Sequence, residues 1–216
     1  MLSNRTMIVA IDGPAGAGKS TVARQLATRL GFRYLDTGAM YRALTWLALE
    51  RAADLDDAEA LGALAREHPI GFEDEQHVLI DGRDVSAEIR EPRIDKVVSS
   101  VARHPQVREV MRERQRELGE HGNVVIEGRD IGTVVAPRAA VKVYLNANES
   151  ERARRRIAER PGLAADALAT DLRLRDERDS AQMQPAEDAE QIDTTALSID
   201  DVVARIEELV RSRQPA

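Results

Sequence analysis

The chain has no cysteine, few aromatic residues and no long apolar run. The absence of cysteine excludes disulfide bonds, a thiolate zinc site and a thiol nucleophile, and it is compatible with a reducing compartment. With aromatic residues at 3%, the core must be built from Leu, Val, Ile and Ala. The first apolar stretch, residues 7–11, is too short for a signal-peptide core or a membrane span. We therefore expect a cytoplasmic protein that binds no membrane.

Length and charge narrow the class of protein further. A chain of 216 residues suggests one domain, or one domain with a modest insertion. The content of 43% hydrophobic and 32% charged residues is that of an ordinary globular protein. A net charge of −7 argues against general affinity for nucleic acid, so any anionic ligand must be met by a local positive patch.

Apolar runs alternate with helical patterns along most of the chain. Met7–Ile11 is a continuous apolar run, which is typical of a strand buried on both faces of a parallel sheet, and similar buried runs appear at Val124–Ile126 and Val141–Leu145. Each is followed by turn residues and then by a segment with helical periodicity; after the first run, Gly31 marks the end of the helix. A final strand at 191–194 and a helix capped by Ser198 and Asp201 complete a doubly wound α/β fold.

One stretch breaks this alternation. Residues 70–90 contain short β segments around Asp81-Gly82, a dipeptide that favours a tight hairpin turn, and we interpret them as an inserted β meander. Residues 92–118 have a helical pattern that Pro105 should divide into two helices, with Pro105 near the start of the second.

The segment Gly13-Pro14-Ala15-Gly16-Ala17-Gly18-Lys19-Ser20 matches the G-x-x-x-x-G-K-[ST] pattern, between a predicted strand and a predicted helix. Glycines let successive backbone N–H groups converge on phosphate oxygens, and the start of the helix adds partial positive charge. Lys19 would bridge the β and γ phosphates, and Ser20 would ligate Mg²⁺. The alternative is a glycine-rich turn that merely enters a helix. The pattern and its flanks favour binding of a nucleoside triphosphate with Mg²⁺.

Two further polar clusters follow predicted strands, where open α/β sheets place ligands. In residues 36–42, Arg42 could bind a second phosphate; the simpler interpretation is a helix start capped by Asp36 or Thr37, with Tyr41 half-buried. In residues 127–130, Arg129 could hold a phosphate and Asp130 could accept from an exocyclic amine. The simpler interpretation there is a local Arg–Asp ion pair.

Arginines are concentrated after residue 150. Arg152, Arg156 and Arg160 share one face of a predicted helix, and a solvated face balanced by glutamates is the usual explanation. Phosphoryl transfer, however, needs positive charge on the moving group, so some of these side chains could close over phosphates. Pro161-Gly162 could act as a hinge that lets the segment close as a lid and exclude water. We expect Lys19, Arg129, Arg156 and Arg160 to act in transfer.

Six segments in this order, spread over residues 11–180, resemble a bacterial cytidylate kinase: IDGPAGAGKST, LDTGAMYRA, DGRDVSAEIR, VARHPQVRE, EGRDIGTVV and RDERDS. The second, third and fifth are much more specific than the phosphate loop. The resemblance implies a P-loop NTPase fold with a five-stranded parallel sheet flanked by helices, in a single domain over 1–216. It also implies an inserted monophosphate-binding subdomain, which we place at 65–118, and a short lid, which we place at 152–172. It suggests a monomer.

The resemblance also implies roles for individual residues. ATP would be bound by Gly13 to Ser20 and by Thr21. Tyr41, Arg42 and Arg129 would hold the phosphate of the acceptor, whereas Ser99, Arg108 and Asp130 would read the edge of cytosine. Arg175 and Asp179 would contact the sugar and phosphate of the acceptor nucleotide. Thr37 is in a position where many relatives have serine, and its hydroxyl could serve the same role. Gln182 is a departure, since many relatives have arginine there; Arg173 or Arg178 could supply the missing charge.

The expected activity is ATP-dependent phosphorylation of CMP or dCMP to the diphosphate in pyrimidine nucleotide metabolism. The partners would be these small molecules, with Mg²⁺ as cofactor and without nucleic acid. A regulatory GTPase is disfavoured, because the chain has no Asn-Lys pair from which to build the base-reading segment. Two alternatives stay open. One is a P-loop kinase for UMP, AMP or shikimate, and the other is an ATP-dependent switch that hydrolyses slowly and signals through a partner.

Overall fold

The structure is a computed structural model, and it describes residues 6–159 and 165–213. The strands of these residues are, in chain order, β1 (Ile8–Asp12), β2 (Arg33–Asp36), β3 (Ile70–Phe72), β4 (Val78–Ile80), β5 (Arg83–Asp84), β6 (Val124–Gly128), β7 (Val141–Asn146) and β8 (Glu190–Asp193). The α-helices are α1 (Lys19–Leu30), α2 (Thr37–Glu50), α3 (Ala58–Glu67), α4 (Pro92–Ala102), α5 (Pro105–Gly119), α6 (Glu149–Glu159), α7 (Ala165–Asp179) and α8 (Ile199–Arg213). The chain divides into two compact units, one formed by residues 1–35 and 119–216 and the other by residues 36–118.

The first unit is built on a five-stranded parallel sheet in the order β2-β6-β1-β7-β8. Strand β1 is central and pairs in parallel with both β6 and β7, and β7 pairs in parallel with β8. The carboxyl ends of these strands therefore meet at one edge of the sheet, where Asp12 and Gly128 face each other in register. The predicted parallel α/β sheet is confirmed.

Apolar burial explains why these segments form a sheet flanked by helices. Residues 9–11 are fully buried, and α1 and α8 turn their Val, Leu, Ile and Ala side chains toward the same core. Helix α1 ends as predicted at Gly31, which has a left-handed φ of 65°. At the start of α8, the amide of Asp201 donates to Ser198 Oγ at 3.2 Å, which confirms the predicted cap. Within the described residues, no helix combines the length and the apolar character that crossing a membrane requires.

The connection between β6 and β7 differs from the prediction. We expected a charged helical segment after each buried strand, but only a single π turn, Ile131–Val135, follows β6. The stretch is short and contains Gly132 and Pro137, which disfavour a regular helix. Its first two amides, those of Ile131 and Gly132, are bound by the carboxylate of Asp12 instead.

The second unit packs helices α2 to α5 and a small antiparallel sheet around its own apolar core. Strands β3, β4 and β5 pair in that order, and Asp81 and Gly82 form the predicted tight turn with φ values of 52° and 75°. The predicted β meander over 70–90 is too long, because β5 ends at Asp84. After β5, Ser86 makes side-chain hydrogen bonds in place of a strand ladder. Its amide donates to Asp84 Oδ1 at 2.9 Å, and its Oγ accepts from the amide of Val78 at 2.8 Å.

The division of the helical segment at Pro105 is confirmed, since α4 ends at Ala102 and α5 begins at Pro105. Both helices contribute to the core of the second unit, in which Leu, Ile, Val and Ala predominate as expected. The only tryptophan of the sequence, Trp46 on α2, also lies in this core and is 4% exposed. The guanidinium carbon of Arg83 lies 4.8 Å from the centroid of its ring, so a cation–π contact connects β5 of the small sheet with α2.

Candidate active site

The loop between β1 and α1, residues 13–18, has the backbone of a phosphate-binding loop. Gly13, Gly16 and Gly18 have φ values of 144°, 77° and 90°, which side-chain-bearing residues rarely adopt. A Cβ atom on Gly13 would lie 2.0 Å from the carbonyl oxygen of Leu145, so glycine is also required there by the close approach of β7. Strand, loop and helix follow one another as the motif requires.

Lys19, the first residue of α1, is buried at the base of this loop. Its Nζ donates to the carbonyl oxygen of Pro14 at 2.7 Å. The pKa of Lys19 is lowered to about 7; burial is the main cause and the Arg129 guanidinium contributes, while the carboxylate of Glu127 opposes the shift. Charging the Lys19 ammonium group in this buried position therefore costs free energy, and an anionic ligand would reduce that cost.

Ser20 is connected to a buried acidic residue that sequence analysis did not assign to the site. Its Oγ donates to Oε2 of Glu127 at 3.0 Å, and the other carboxylate oxygen of Glu127 accepts from the hydroxyl of Tyr34. Glu127 is 3% exposed and occupies β6, next to β1. A charged residue within an otherwise apolar, fully buried strand is the signal that could have identified it.

Asp12, the last residue of β1 before the loop, is a second buried acidic residue that sequence analysis did not assign to the site. Its two carboxylate oxygens each accept a 2.8 Å hydrogen bond, from the amides of Ile131 and Gly132. Burial raises the pKa of Asp12, and the nearby charge of Asp130 adds to the shift, although the two amides counteract it. Asp12 thereby fixes the backbone that immediately follows Asp130.

Three of the residues predicted to bind the acceptor are brought together in the first unit. The Nε of Arg129 donates to Oδ2 of Asp179 at 3.2 Å, and the Nε of Arg175 lies 3.7 Å from the same oxygen. All three side chains are partly exposed, between 15% and 22%. Asp130, next to Arg129, is buried with 7% exposed. The ion pair that the structure shows for Arg129 is the one with Asp179.

The arginines of α6 have different environments. Arg152 is buried and donates to the carbonyl oxygens of Ala147 at 3.1 Å and Ala15 at 3.2 Å, besides pairing with Asp176. Arg154 is 71% exposed and pairs with Glu151, as a solvated helix face would. Arg156 is half-buried. Arg160 and the Pro161-Gly162 hinge lie outside the described residues.

Arg155, also on α6, contacts the phosphate loop and the loop after β8. Its Nη1 lies 3.4 Å from the carbonyl oxygen of Gly16 and donates to Thr194 Oγ1 at 3.0 Å. Its Nη2 donates to the carbonyl oxygen of Thr194 at 2.7 Å. Neither Thr194 nor these contacts were predicted, because no sequence pattern links residue 194 to residue 16.

The second unit contains the other predicted acceptor residues. The helix-start interpretation of residues 36–42 is confirmed, since the Asp36 carboxylate accepts from the amide of Ala39 at 2.9 Å, and Tyr41 is half-buried. The guanidinium of Arg42 pairs with Asp95 and donates to the carbonyl oxygen of Ile89 at 3.0 Å. Thr37, at the start of α2, is buried.

Ser99 and Arg108 of the second unit are polar residues in buried positions, 5% and 8% exposed. The Nη1 of Arg108 donates to the carbonyl oxygen of Ala102 at 3.3 Å, and its guanidinium carbon lies 5.9 Å from the ring centroid of Tyr41. Residues 41 and 108 are thus brought together although they are distant in sequence. In the first unit, Gln182 is half-buried, whereas Arg173 and Arg178 are exposed.

Comparison with known proteins gives a consistent picture. The model of the cytidylate kinase family matches residues 9–212. The cytidylate kinase of Geobacillus sp. (strain WCH70) is 50% identical over 216 residues, which covers 95% of this chain and 96% of that protein. The cytidylate kinase of Geobacillus kaustophilus (strain HTA426) is 49% identical over 220 residues, or 97% and 98% of the two chains. Among solved structures, TT1252 from Thermus thermophilus has a TM-score of 0.51 at 22% identity over 98% of this chain and 100% of that one, a similarity of fold.

Proposed function

Because the chain belongs to the cytidylate kinase family, we propose that it transfers the γ-phosphoryl group of ATP to CMP or dCMP, giving CDP or dCDP. The observation that carries this proposal is the phosphate loop of residues 13–18, with the buried ammonium group of Lys19 at its base. Such a loop binds the phosphates of a nucleotide, and family membership supplies the acceptor.

On the donor side, we assign ATP to the segment from Gly13 to Thr21. The hydroxyl of Ser20 and the carboxylate of Glu127 are hard oxygen ligands 3.0 Å apart, a donor set that suits Mg²⁺. Within the described residues there is no cluster of three or more acidic or histidine side chains that could form a complete metal cage. This fits an ion that is held by few protein oxygens and completed by substrate phosphates and water, and that neutralises charge on the phosphates.

On the acceptor side, we propose that Tyr41, Arg42 and Arg129 hold the phosphate of CMP. Arg175 and Asp179 would contact its sugar and phosphate, and their closeness to Arg129 supports a common task. The hydroxyl of Thr37 would add a further contact to the acceptor.

The base of CMP would be read by three side chains with complementary hydrogen-bonding groups. Asp130 can accept from the exocyclic amine of cytosine, whereas Ser99 and Arg108 can donate to its carbonyl oxygen and ring nitrogen. Each of the three is less than a tenth exposed. Burial makes hydrogen-bond recognition selective, because a wrong base leaves a buried polar group unpaired.

The transfer itself needs no general base. An oxygen of the acceptor phosphate attacks the γ-phosphorus, and the bond from that phosphorus to the β–γ bridging oxygen breaks, so that ADP leaves with the electron pair. The acceptor oxygen is already anionic near neutral pH. The contribution of the protein is therefore alignment and positive charge, which we assign to Lys19, Arg129, Arg156 and Arg160.

We propose further that the protein acts as a monomer in the cytoplasm, where its nucleotide substrates occur. The domain organisation is a proposal too: one kinase domain over 1–216, an acceptor-binding insertion at 65–118 and a lid at 152–172. Limited proteolysis with and without nucleotides would test the lid, since a closing segment should become protected when both substrates are bound.

The decisive experiment compares ADP release from Mg·ATP with CMP, dCMP, UMP, AMP or no acceptor, at equal protein concentration. Fast release with CMP and dCMP, together with chromatographic detection of the diphosphates, is the expected result. Preference for UMP or AMP would reassign the acceptor, and slow release that responds to none of the small molecules would support an ATP-dependent switch instead.

A further inference from the structure

Three consecutive carbonyl groups of the phosphate loop accept hydrogen bonds from side chains outside it. The oxygen of Ala15 accepts from Arg152 at 3.2 Å, and the oxygen of Ala17 accepts from the hydroxyl of Thr194 at 3.1 Å. Between them, the oxygen of Gly16 lies 3.4 Å from Arg155, which also donates to Thr194 at 3.0 and 2.7 Å. We call Arg152, Arg155 and Thr194 the loop brace.

These bonds determine where the amides of the loop point. In a trans peptide, the carbonyl of one residue and the N–H of the next lie in one plane and point in opposite directions. A donor that holds the oxygen of Gly16 therefore orients the N–H of Ala17, which makes a long contact of 3.4 Å to the carbonyl oxygen of Pro14. A donor that holds the oxygen of Ala17 orients the N–H of Gly18, the residue that precedes α1. The brace bonds the carbonyl side of these peptides, so their N–H groups face away from it.

The geometry points to a specific role, which rests on the proposed binding of ATP. We propose that Arg155 and Thr194 are positioning residues that hold the amides of the phosphate loop in their anion-binding orientation before a nucleotide arrives. A loop rich in glycine has many backbone conformations available, and ordering it on binding would weaken affinity. The brace removes that cost in advance.

The contacts of the two residues make this role specific. Thr194 is 3% exposed, and its own amide donates to the carbonyl oxygen of Asn146 at 2.7 Å, which fixes it against the end of β7. Its hydroxyl accepts from Arg155 and has one proton to share between the oxygens of Ala17 and Asn146, at 3.1 and 3.0 Å. Arg155 therefore acts on the loop mainly through Thr194, because its direct distance to Gly16 is long.

Two matched pairs of variants separate positioning from charge and from folding. Arg155→Met is compared with Arg154→Met, since both arginines lie on α6 and pair with Glu151, but only Arg155 reaches the loop. Thr194→Val is compared with Thr194→Ser. Valine keeps the volume and removes the hydroxyl, whereas serine restores it, and neither substitution changes the charge.

The experiment measures binding of ATP and of inorganic tripolyphosphate to the full-length protein by calorimetry. We expect Arg155→Met and Thr194→Val each to raise both dissociation constants about tenfold, while Arg154→Met and Thr194→Ser stay within about twofold of wild type. The double variant should be hardly worse than either single one, because the two residues act in one network.

The proposal is overturned if Thr194→Val binds tripolyphosphate as tightly as Thr194→Ser does, or if Arg154→Met weakens binding as much as Arg155→Met. Thermal unfolding checks each variant, and Arg155→Lys, which retains the charge but not the two-pronged geometry, replaces Arg155→Met if that variant does not fold. Wild-type protein that bound neither ligand would refute the donor site together with this proposal. Failure to phosphorylate CMP despite tight ATP binding would refute only the acceptor assignment.

Discussion

Ser20 and Glu127 are 107 positions apart in the sequence, yet the hydroxyl of Ser20 donates a 3.0 Å hydrogen bond to the carboxylate of Glu127. The first residue belongs to α1 and the second to β6, which is paired with β1. Parallel pairing of two strands is what brings a hydroxyl and a buried carboxylate together beside the phosphate loop. This pair is the proposed Mg²⁺ site.

Glu127→Gln should raise the Mg²⁺ concentration needed for half-maximal activity about tenfold to a hundredfold. The amide keeps the shape of the side chain but removes the negative charge that favours the cation. Activity titrated with free Mg²⁺ at saturating nucleotides gives the measurement, and Glu120→Gln, at an exposed position, is the control. An unchanged Mg²⁺ requirement would exclude Glu127 from the ion site.

Lys19→Ala should lower kcat about a thousandfold or more, because it removes a buried positive charge that would stabilise the transferred group. Steady-state kinetics with Mg·ATP and CMP measure the change. Lys96→Ala, which alters an exposed lysine of the second unit, should leave kcat unchanged. Turnover within a few-fold of wild type in Lys19→Ala would show that the role is assigned wrongly.

The lowered pKa of Lys19, about 7, predicts that ATP binding is linked to proton uptake. Above that pH the free protein holds Lys19 mostly neutral, and the triphosphate would raise its pKa, so that binding near about pH 8 should take up as much as one proton. Below about pH 6 the lysine is already charged and no uptake is expected from it. Calorimetry in two buffers of different ionisation enthalpy measures the proton count, and Lys19→Met should abolish the uptake.

Asp130→Ala should reduce kcat/KM for CMP about a thousandfold or more while changing the affinity for ATP little, because a missing hydrogen-bond acceptor affects only the ligand it recognises. Calorimetric titration with ATP and kinetics with CMP provide the two numbers. Equal losses for ATP and CMP would contradict a role in base recognition and indicate a general effect on the sheet edge instead.

Gly82→Ala should lower the free energy of unfolding by about 1 kcal/mol, because residue 82 has a φ of 75°, which alanine adopts with strain. A Cβ atom at this position would meet nothing within 4 Å, so the loss would come from the backbone alone. Gly71→Ala is the matched control: residue 71 lies in the same small sheet, also has open space and has no positive φ. Denaturant unfolding should separate the two variants; equal effects would show that the turn conformation is not the cause.

The sequence predicted those parts of the molecule that depend on local patterns. Each of these features is encoded by residues close together in the sequence: the apolar run of β1, the glycines at 13, 16 and 18, the stop of α1 at Gly31 and the Asp81-Gly82 turn. The helical periodicity after β6 predicted a helix where the structure has only the turn Ile131–Val135. There the amides of Ile131 and Gly132 bind a carboxylate more than a hundred positions away, and such long-range compensation leaves no local trace.

The same reason explains which functional residues were missed. Asp12 binds amides of the turn after β6, Glu127 accepts from Ser20 on α1, and Thr194 binds a loop near the opposite end of the chain. The arginines of α6 were visible as a group, but a helical repeat cannot distinguish Arg154, which faces solvent, from Arg155, which reaches the phosphate loop. Only the packing of α6 separates the two.

The position of Trp46 under the guanidinium of Arg83 makes the protein its own spectroscopic probe. Because the sequence has a single tryptophan, selective excitation of that ring reports on the second unit alone. The guanidinium carbon of Arg83 lies 4.8 Å from the centre of the indole. The wavelength and intensity of the indole fluorescence should therefore depend on whether the small hairpin packs on α2. Fluorescence can therefore follow local opening of this hairpin in unlabelled protein, separately from any change in the sheet that carries the phosphate loop.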